Sequence, residues 1–161
     1  MKNLLNTPVE LLATLLSGET GLQAELGIPV YLAELDPHGN RGVRLLRYAP
    51  GPDAEQTINP GLFVYCEKLT NTGREKFRAF SGTAQLVVEI RAGGDRIAEA
   101  GDMVQRFAGG VVQVLNVHRG DWGEGVFYGG TYEVAIQAAK KGRSNYVQAA
   151  RVVIVVNYNV G

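Results

Sequence analysis

The chain has little of what disulfide frameworks, metal centres and catalytic triads are built from. Cys66 is the single cysteine among 161 residues, which excludes an internal disulfide framework and any multi-cysteine metal site. Neither of the two histidines, His38 and His118, sits within about three to five residues of another good metal ligand in a recognisable pattern. They read as a turn residue and a helix-terminus residue. Lys and Arg number 16 and Asp and Glu number 16, so the formal net charge is zero. That argues against the broad basic field of a dedicated nucleic-acid binder and against an acidic, disordered chain. No apolar run approaches about 18 residues, and the opening Met1-Lys2-Asn3-Leu4-Leu5-Asn6-Thr7-Pro8 is a poor signal peptide. The expectation is a soluble protein of a cytoplasm-like compartment, not a membrane protein.

Catalytic motifs are equally scarce. Ser17, Ser81 and Ser144 occupy no Gly-x-Ser-x-Gly elbow. There is no phosphate-binding loop of the GxxxxGK[ST] type and no dinucleotide fingerprint. Gly93-Gly94 stands between a strand and a helix, but Asp95 there would repel a phosphate, so the pair reads as a tight turn with a helix cap. Glu89, Glu99 and Asp102 read as a solvated face, Cys66 as a small apolar residue, and Trp122 and Tyr128 as packing around a turn. No catalytic, cofactor-binding or metal-binding residue is assigned, and the chain is expected not to be an enzyme.

What the chain does have is glycine, 21 residues in all, far above the usual share of about 7% and gathered at turns between strand-like runs. Thr7-Pro8-Val9-Glu10 opens a short helix with Leu11, Leu12, Leu15 and Leu16 on one stripe, stopped at Gly18. Strands are expected at Ile28–Leu35, Val43–Tyr48 and Leu62–Leu69, with Leu62, Val64 and Cys66 on one face and Phe63, Tyr65 and Leu69 on the other. From 40 to 61 the chain reads as a long loop or insertion rich in Pro and Gly. Gly82–Arg91 alternates, with Ala84, Leu86, Val88 and Ile90 inward and Val87 the exception. From Asp95 to about Val117 a helix is expected to lie on the sheet through Ile97, Ala100, Val104, Phe107, Val111 and Val114. Gly109-Gly110 inside it implies close helix–sheet approach or a kink.

A short strand Val126–Tyr128 precedes a long hairpin over 131–158, whose runs Thr131–Lys140 and Gln148–Tyr158 flank the tip Lys141-Gly142-Arg143-Ser144-Asn145-Tyr146. Each run has about ten residues against a usual five or six, and the second is apolar at nearly every position. The pair is therefore expected to be surplus to the subunit's own core and to join one subunit to the next. The whole chain, 1–161, reads as a single α+β domain. It should hold a mostly antiparallel twisted sheet with a long C-terminal hairpin, one long helix packed on the sheet and a short N-terminal helix.

The order of elements, together with Phe80-Ser81-Gly82-Thr83-Ala84, the Trp122 turn and Gly130-Thr131-Tyr132-Glu133-Val134, resembles the neck and tail-completion proteins of tailed bacteriophages, particularly the tail terminator family. The resemblance covers about half the chain. It implies a virion protein of the tail or neck, assembled in the host cytoplasm as a homo-oligomeric ring, commonly six-fold. Such a ring caps the tail tube, stops its polymerisation and provides the attachment surface for the head–neck connector. The implied partners are the tail-tube protein, the neck or connector protein, and double-stranded DNA passing through the lumen without specific binding.

Interface candidates are Arg41, Arg44 and Arg47, then Lys140, Lys141, Arg143 and Tyr146 at the hairpin tip, and Val153 and Val155 on its second strand. The basic residues read first as solubility and edge protection, with contact to an acidic neighbour or passing DNA as the alternative. Other readings stay open: a head-side stopper, a connector adaptor, a tail-tube protein, or an unrelated ligand-binding α+β domain.

Overall fold

Clean apolar–polar alternation after Phe80 produces the longest ladder in the molecule. The computed structural model describes residues 3–18, 21–22, 30–32, 43–46, 61–73, 75–142 and 145–161. Among these are two helices, α1 (Asn6–Ser17) and α2 (Ile97–Val117). There are eight strands: β1 (Val30–Leu32), β2 (Val43–Leu46), β3 (Gly61–Asn71), β4 (Phe80–Gly94), β5 (Gly120–Gly123), β6 (Val126–Ile136), β7 (Lys140–Lys141) and β8 (Tyr146–Val160). They form one sheet in the order β1-β2-β3-β4-β8-β6-β5, with β7 beside β8. β1, β2 and β3 run parallel, and the other neighbours are antiparallel. The expected α+β class, with one long and one short helix and a C-terminal hairpin, is the observed one.

At the centre, β4 and β8 pair from Phe80 opposite Val160 to Gly94 opposite Tyr146. Facing residues of an antiparallel pair share a side of the sheet. Ala84, Leu86, Val88 and Ile90 therefore join Ala150, Val152, Ile154 and Val156 on one face, and all eight are buried. α2 lies over them with Ala100, Val104, Phe107, Val111 and Val114, and α1 covers the β3 side with Leu12 and Leu16. Each fully buried Val, Leu or Ile stabilises the fold by about 1.5–3 kcal/mol relative to exposure. Among the described residues no helix is long and apolar enough to cross a membrane.

The C-terminal hairpin is not surplus to this core. β8 is an inner strand, and Val152, Ile154, Val156 and Tyr158 are core residues. The reason is a second partner: β4 covers the other edge of β8 along its length, so the strand crosses the domain rather than projecting from it. Val126–Tyr128 and the run from Thr131, expected as separate strands, form the single strand β6. Its register shifts between Tyr128 and Tyr132, where Gly129 and Gly130 supply extra residues and Gly130 has φ +102°. A similar irregularity at Glu67, between Cys66 and Lys68, carries Leu69 to the face of Leu62 rather than that of Phe63. The segment 40–61 contributes β2 and, at Gly61, the start of β3; its other residues, like His38, lie outside the described ones.

Helix ends also differ from expectation. α1 begins before Thr7 because Asn3 caps it: its Oδ1 accepts from the Leu5 N–H at 3.0 Å and its carbonyl from the Asn6 and Thr7 N–H groups. α2 starts at Ile97 without an Asp95 side-chain cap. Glu99 instead reaches back, its Oε2 accepting from the Asp95 N–H at 3.2 Å. Ile97 is 57% exposed, since Ala100 is the first α2 residue to be buried. At the far end the Trp122 Nε1–H donates to the His118 carbonyl at 2.8 Å, and the Trp122 ring packs 5.4 Å from that of buried Tyr128. That is the packing role expected of both.

The two helix glycines separate cleanly. Gly110 is buried, whereas Gly109 is exposed and a Cβ there would meet nothing within 4 Å. Gly109→Ala should raise stability by about 0.5–1 kcal/mol in thermal or urea unfolding. Gly82→Ala should do the opposite, because its Cβ would fall 1.8 Å from the Thr70 carbonyl oxygen on the paired strand. A loss of stability in the first variant, or none in the second, would contradict this packing.

Candidate functional site

Alternation gives the sheet a second face, and no described helix covers it. Phe63, Tyr65, Gln85, Val87, Glu89, Arg91, Arg151, Val153 and Val155 share this side by register. Glu89, expected on a solvated face, is instead paired with Arg91 at 3.4 Å, with only 12% of each side chain exposed. The Arg91 guanidinium lies 5.5 Å from the centre of the Phe63 ring, a cation–π contact that helps keep Phe63 buried. Glu67 accepts from Arg151 at 2.7 Å and from Gln85 at 2.7 Å. Those two bonds, Arg151 first, hold its carboxyl below the usual glutamate range. Burial, followed by the Glu89 charge, pushes the Tyr65 phenol up. Cys66 faces the core side, where burial raises its thiol and its Sγ–H donates to the Lys68 carbonyl at 3.6 Å. A raised thiol is a poor nucleophile, in line with a packing role.

The edges of the sheet are the more unusual feature. β5 pairs only with Val126, Phe127 and Tyr128 of β6. From Gly129 to Ile136 the outer edge of β6 has no strand beside it among the described residues. Val134 and Ile136 sit on the core side, opposite Val152 and Ala150, yet are 41% and 47% exposed because α2 lies over β4 and β8 and barely reaches them. On the opposite flank, β2 pairs only with Gly61, Leu62 and Phe63. Beyond them the outer edge of β3 is unpaired among the described residues, with Lys68, Thr70 and Asn71 exposed and Leu69 half-buried. Compared with models of known protein families, the sequence matches none. Compared with curated proteins, it again matches none.

The expected interface residues do not form one site. Arg41, Arg47 and Arg143 lie outside the described residues. Arg44 is in β2, opposite Gly61, and Lys140 and Lys141 form β7 opposite Val147 and Tyr146. Arg44 and the two lysines stand at the same end of the sheet but four strand spacings apart, about 19 Å. Lys140 and Lys141 are exposed, and Tyr146 is half-buried opposite Gly94. Val153 is half-buried between Val87 and Glu133, and Val155 is 43% exposed opposite Gln85, on the open face.

Sequence reasoning missed Tyr132, Val134 and Ile136 of β6 and Lys68 and Thr70 of β3 as surface features. The alternation of Thr131–Ile136 marks a half-buried strand, but only the strand order reveals that it ends the sheet. A polar depression of about 290 Å³ lies between Thr72, Glu75, Ser81, Thr83, Asn157 and Asn159, where the Ser81 Oγ–H donates to Asn159 Oδ1 at 2.9 Å. Among the described residues no group of three or more His, Cys, Asp or Glu is placed to hold a metal ion.

The Glu67 pairing has a pH signature. With its folded pKa lowered, Glu67 binds fewer protons in the folded than in the unfolded state near the ordinary carboxylate range. Its contribution is therefore complete above that range and is lost as the pH falls through the lowered value. Wild type should exceed Glu67→Gln in stability at neutral pH by no more than about 1 kcal/mol. The gap should close on acidification in parallel thermal melts; a gap independent of pH would show that the ion pair is not its source.

Proposed function

We propose that this chain is an assembling structural subunit of a tailed-phage virion, the tail terminator. Copies form a ring, commonly six-fold, that caps the tail tube, stops its growth and presents the surface to which the head–neck connector attaches. The tube protein and the connector are its partners, and double-stranded DNA passes through the lumen without specific binding. The observation that supports assembly is that one rigid sheet ends in two unlike uncovered edges among the described residues. A closed ring is made by heterologous contacts, in which one patch of a subunit meets a different patch of its neighbour. An unpaired strand edge carrying exposed Val134 and Ile136 is a template for such a contact and a hazard in an isolated monomer.

The same two edges would also serve another tail component, such as a tail-tube protein, in which rings stack into an open-ended tube. The role of a terminator requires that assembly stop at one ring. Negative-stain images of the purified chain should show single closed rings, and stacked tubes would assign it to the tube instead. Val134→Lys and Ile136→Lys should weaken assembly by on the order of tenfold or more, measured by sedimentation velocity. Both positions are exposed in the subunit, so its thermal stability should change little. Intact assembly in both variants would remove Val134 and Ile136 from the interface.

A further inference from the structure

We propose that copies join strand to strand, the outer edge of β6 in one copy pairing antiparallel with the outer edge of β3 in the next. The inference rests on the assembly reading above and names the segments that carry it. The direction follows from the topology. β3 is antiparallel to β4, β4 to β8 and β8 to β6. When one sheet continues into the next in the same orientation, β6 meets the neighbouring β3 antiparallel, the arrangement in which facing residues share a side.

The register follows from the side chains. Tyr132 lies opposite Ile154, and Leu69 opposite Ala84, so both belong to the core side. Glu133 lies opposite Val153, Lys68 opposite Gln85 and Thr70 opposite Thr83, so these belong to the open side, and Thr131 joins them by alternation. Placing Tyr132 opposite Leu69 of the next copy sets Glu133 against Lys68 and Thr131 against Thr70. Aromatic meets aliphatic, carboxylate meets ammonium, and hydroxyl meets hydroxyl, the cross-strand pairs that stabilise sheets.

A slip of two residues in one direction sets Val134 on Leu69, leaves Lys68 opposite Ala135 and puts the Asn71 amide against Tyr132. The opposite slip sets Gly130 on Leu69 and Thr131 on Lys68. Either loses the ion pair. The irregularity at Glu67, whose carboxylate is turned to Arg151 and Gln85, ends the matching stretch at Lys68. It also brings Leu69 to the core side, which the match with Tyr132 requires.

The test is a charge exchange in the full chain, read by sedimentation velocity against wild type. Glu133→Lys and Lys68→Glu should each weaken association about five- to tenfold, and the two together in one chain should restore it. All variants should melt like wild type, since both side chains are exposed. A chain with Cys66→Ser, Thr70→Cys and Thr131→Cys should give a ladder of covalent multimers on mild oxidation. If wild type assembles but the double charge variant stays as weak as the singles, the strand pairing falls while the assembly reading stands. Covalent dimers alone overturn it too, because they report a two-fold contact, β6 with β6 or β3 with β3. If the exchange rescues association but images show open filaments instead of rings, the strand pairing stands and the terminator reading falls. A wild-type chain that stays monomeric at high concentration overturns both.

Discussion

The pairing of β4 with β8 is the interaction on which the rest of the molecule depends. It runs without a break from Phe80 opposite Val160 to Gly94 opposite Tyr146 and puts side by side the two strands with the most buried apolar residues. Ala84, Leu86, Val88, Ile90, Val152, Ile154 and Val156 then form one continuous buried surface, wide enough to seat the twenty-one-residue helix α2. The strands that flank this ladder, β3 and β6, are secured on one side for most of their length. β3 is held by β4 and β6 by β8, and among the described residues each receives a second partner for only about three residues. The open edges are therefore a consequence of one pairing being so much longer than those around it.

The two faces of the sheet are stabilised by different means. On the helix side the driving force is removal of aliphatic surface from water. On the other side Val87 and Phe63 are as well buried, but their neighbours are charged: Arg91 over Phe63, Glu89 on Arg91, and Glu67 bridging Arg151 and Gln85. Such pairs add little net stability when exposed, and partly buried ones are offset by desolvation. Their larger effect is on geometry, since Glu67 and Arg151 tie β3 to β8 across β4. A sheet fixed in this way holds its free edges in a defined shape, which lowers the entropy lost when a neighbour binds.

Much of this was legible in the sequence, and the failures have common causes. The alternation after Gly82 and the 3.6-residue stripe of α2 are local patterns, and both appear where expected, Val87 included. The hairpin's length was also legible, but its role was not, because β8 has a partner some sixty residues earlier that no local pattern announces. Simple alternation puts Leu69 on the wrong face because it fails across the irregularity at Glu67. The helix starts shift by a few residues because Asn3 accepts from the Leu5, Asn6 and Thr7 N–H groups ahead of Thr7, and Glu99 takes the Asp95 N–H. Charge singles out Arg44 and Lys140 among the interface candidates, yet they lie far apart in the sheet. The exposed apolar residues Val134 and Ile136 occupy a pattern indistinguishable from that of a buried strand.

The distinction between a free edge and a protected one decides how such a domain behaves. Natural sheets blunt their edges with charge, irregular register and short strands, and β3 uses two of these devices, Lys68 and the break at Glu67. β6 uses one, the kink at Gly129 and Gly130, and then continues for six residues with only Glu133 charged. The flanks are thus unequal: one is poorly defended, and the other is defended by a cation that complements the single anion on the first. Like-with-like pairing of β6 would satisfy one edge and stop at two copies, leaving β3 open. Unlike pairing satisfies both edges in every copy, and whether it closes or runs on is set by the rotation between neighbours. A twisted sheet imposes such a rotation at each junction, so the same contact that removes the edges also fixes the curvature of the assembly.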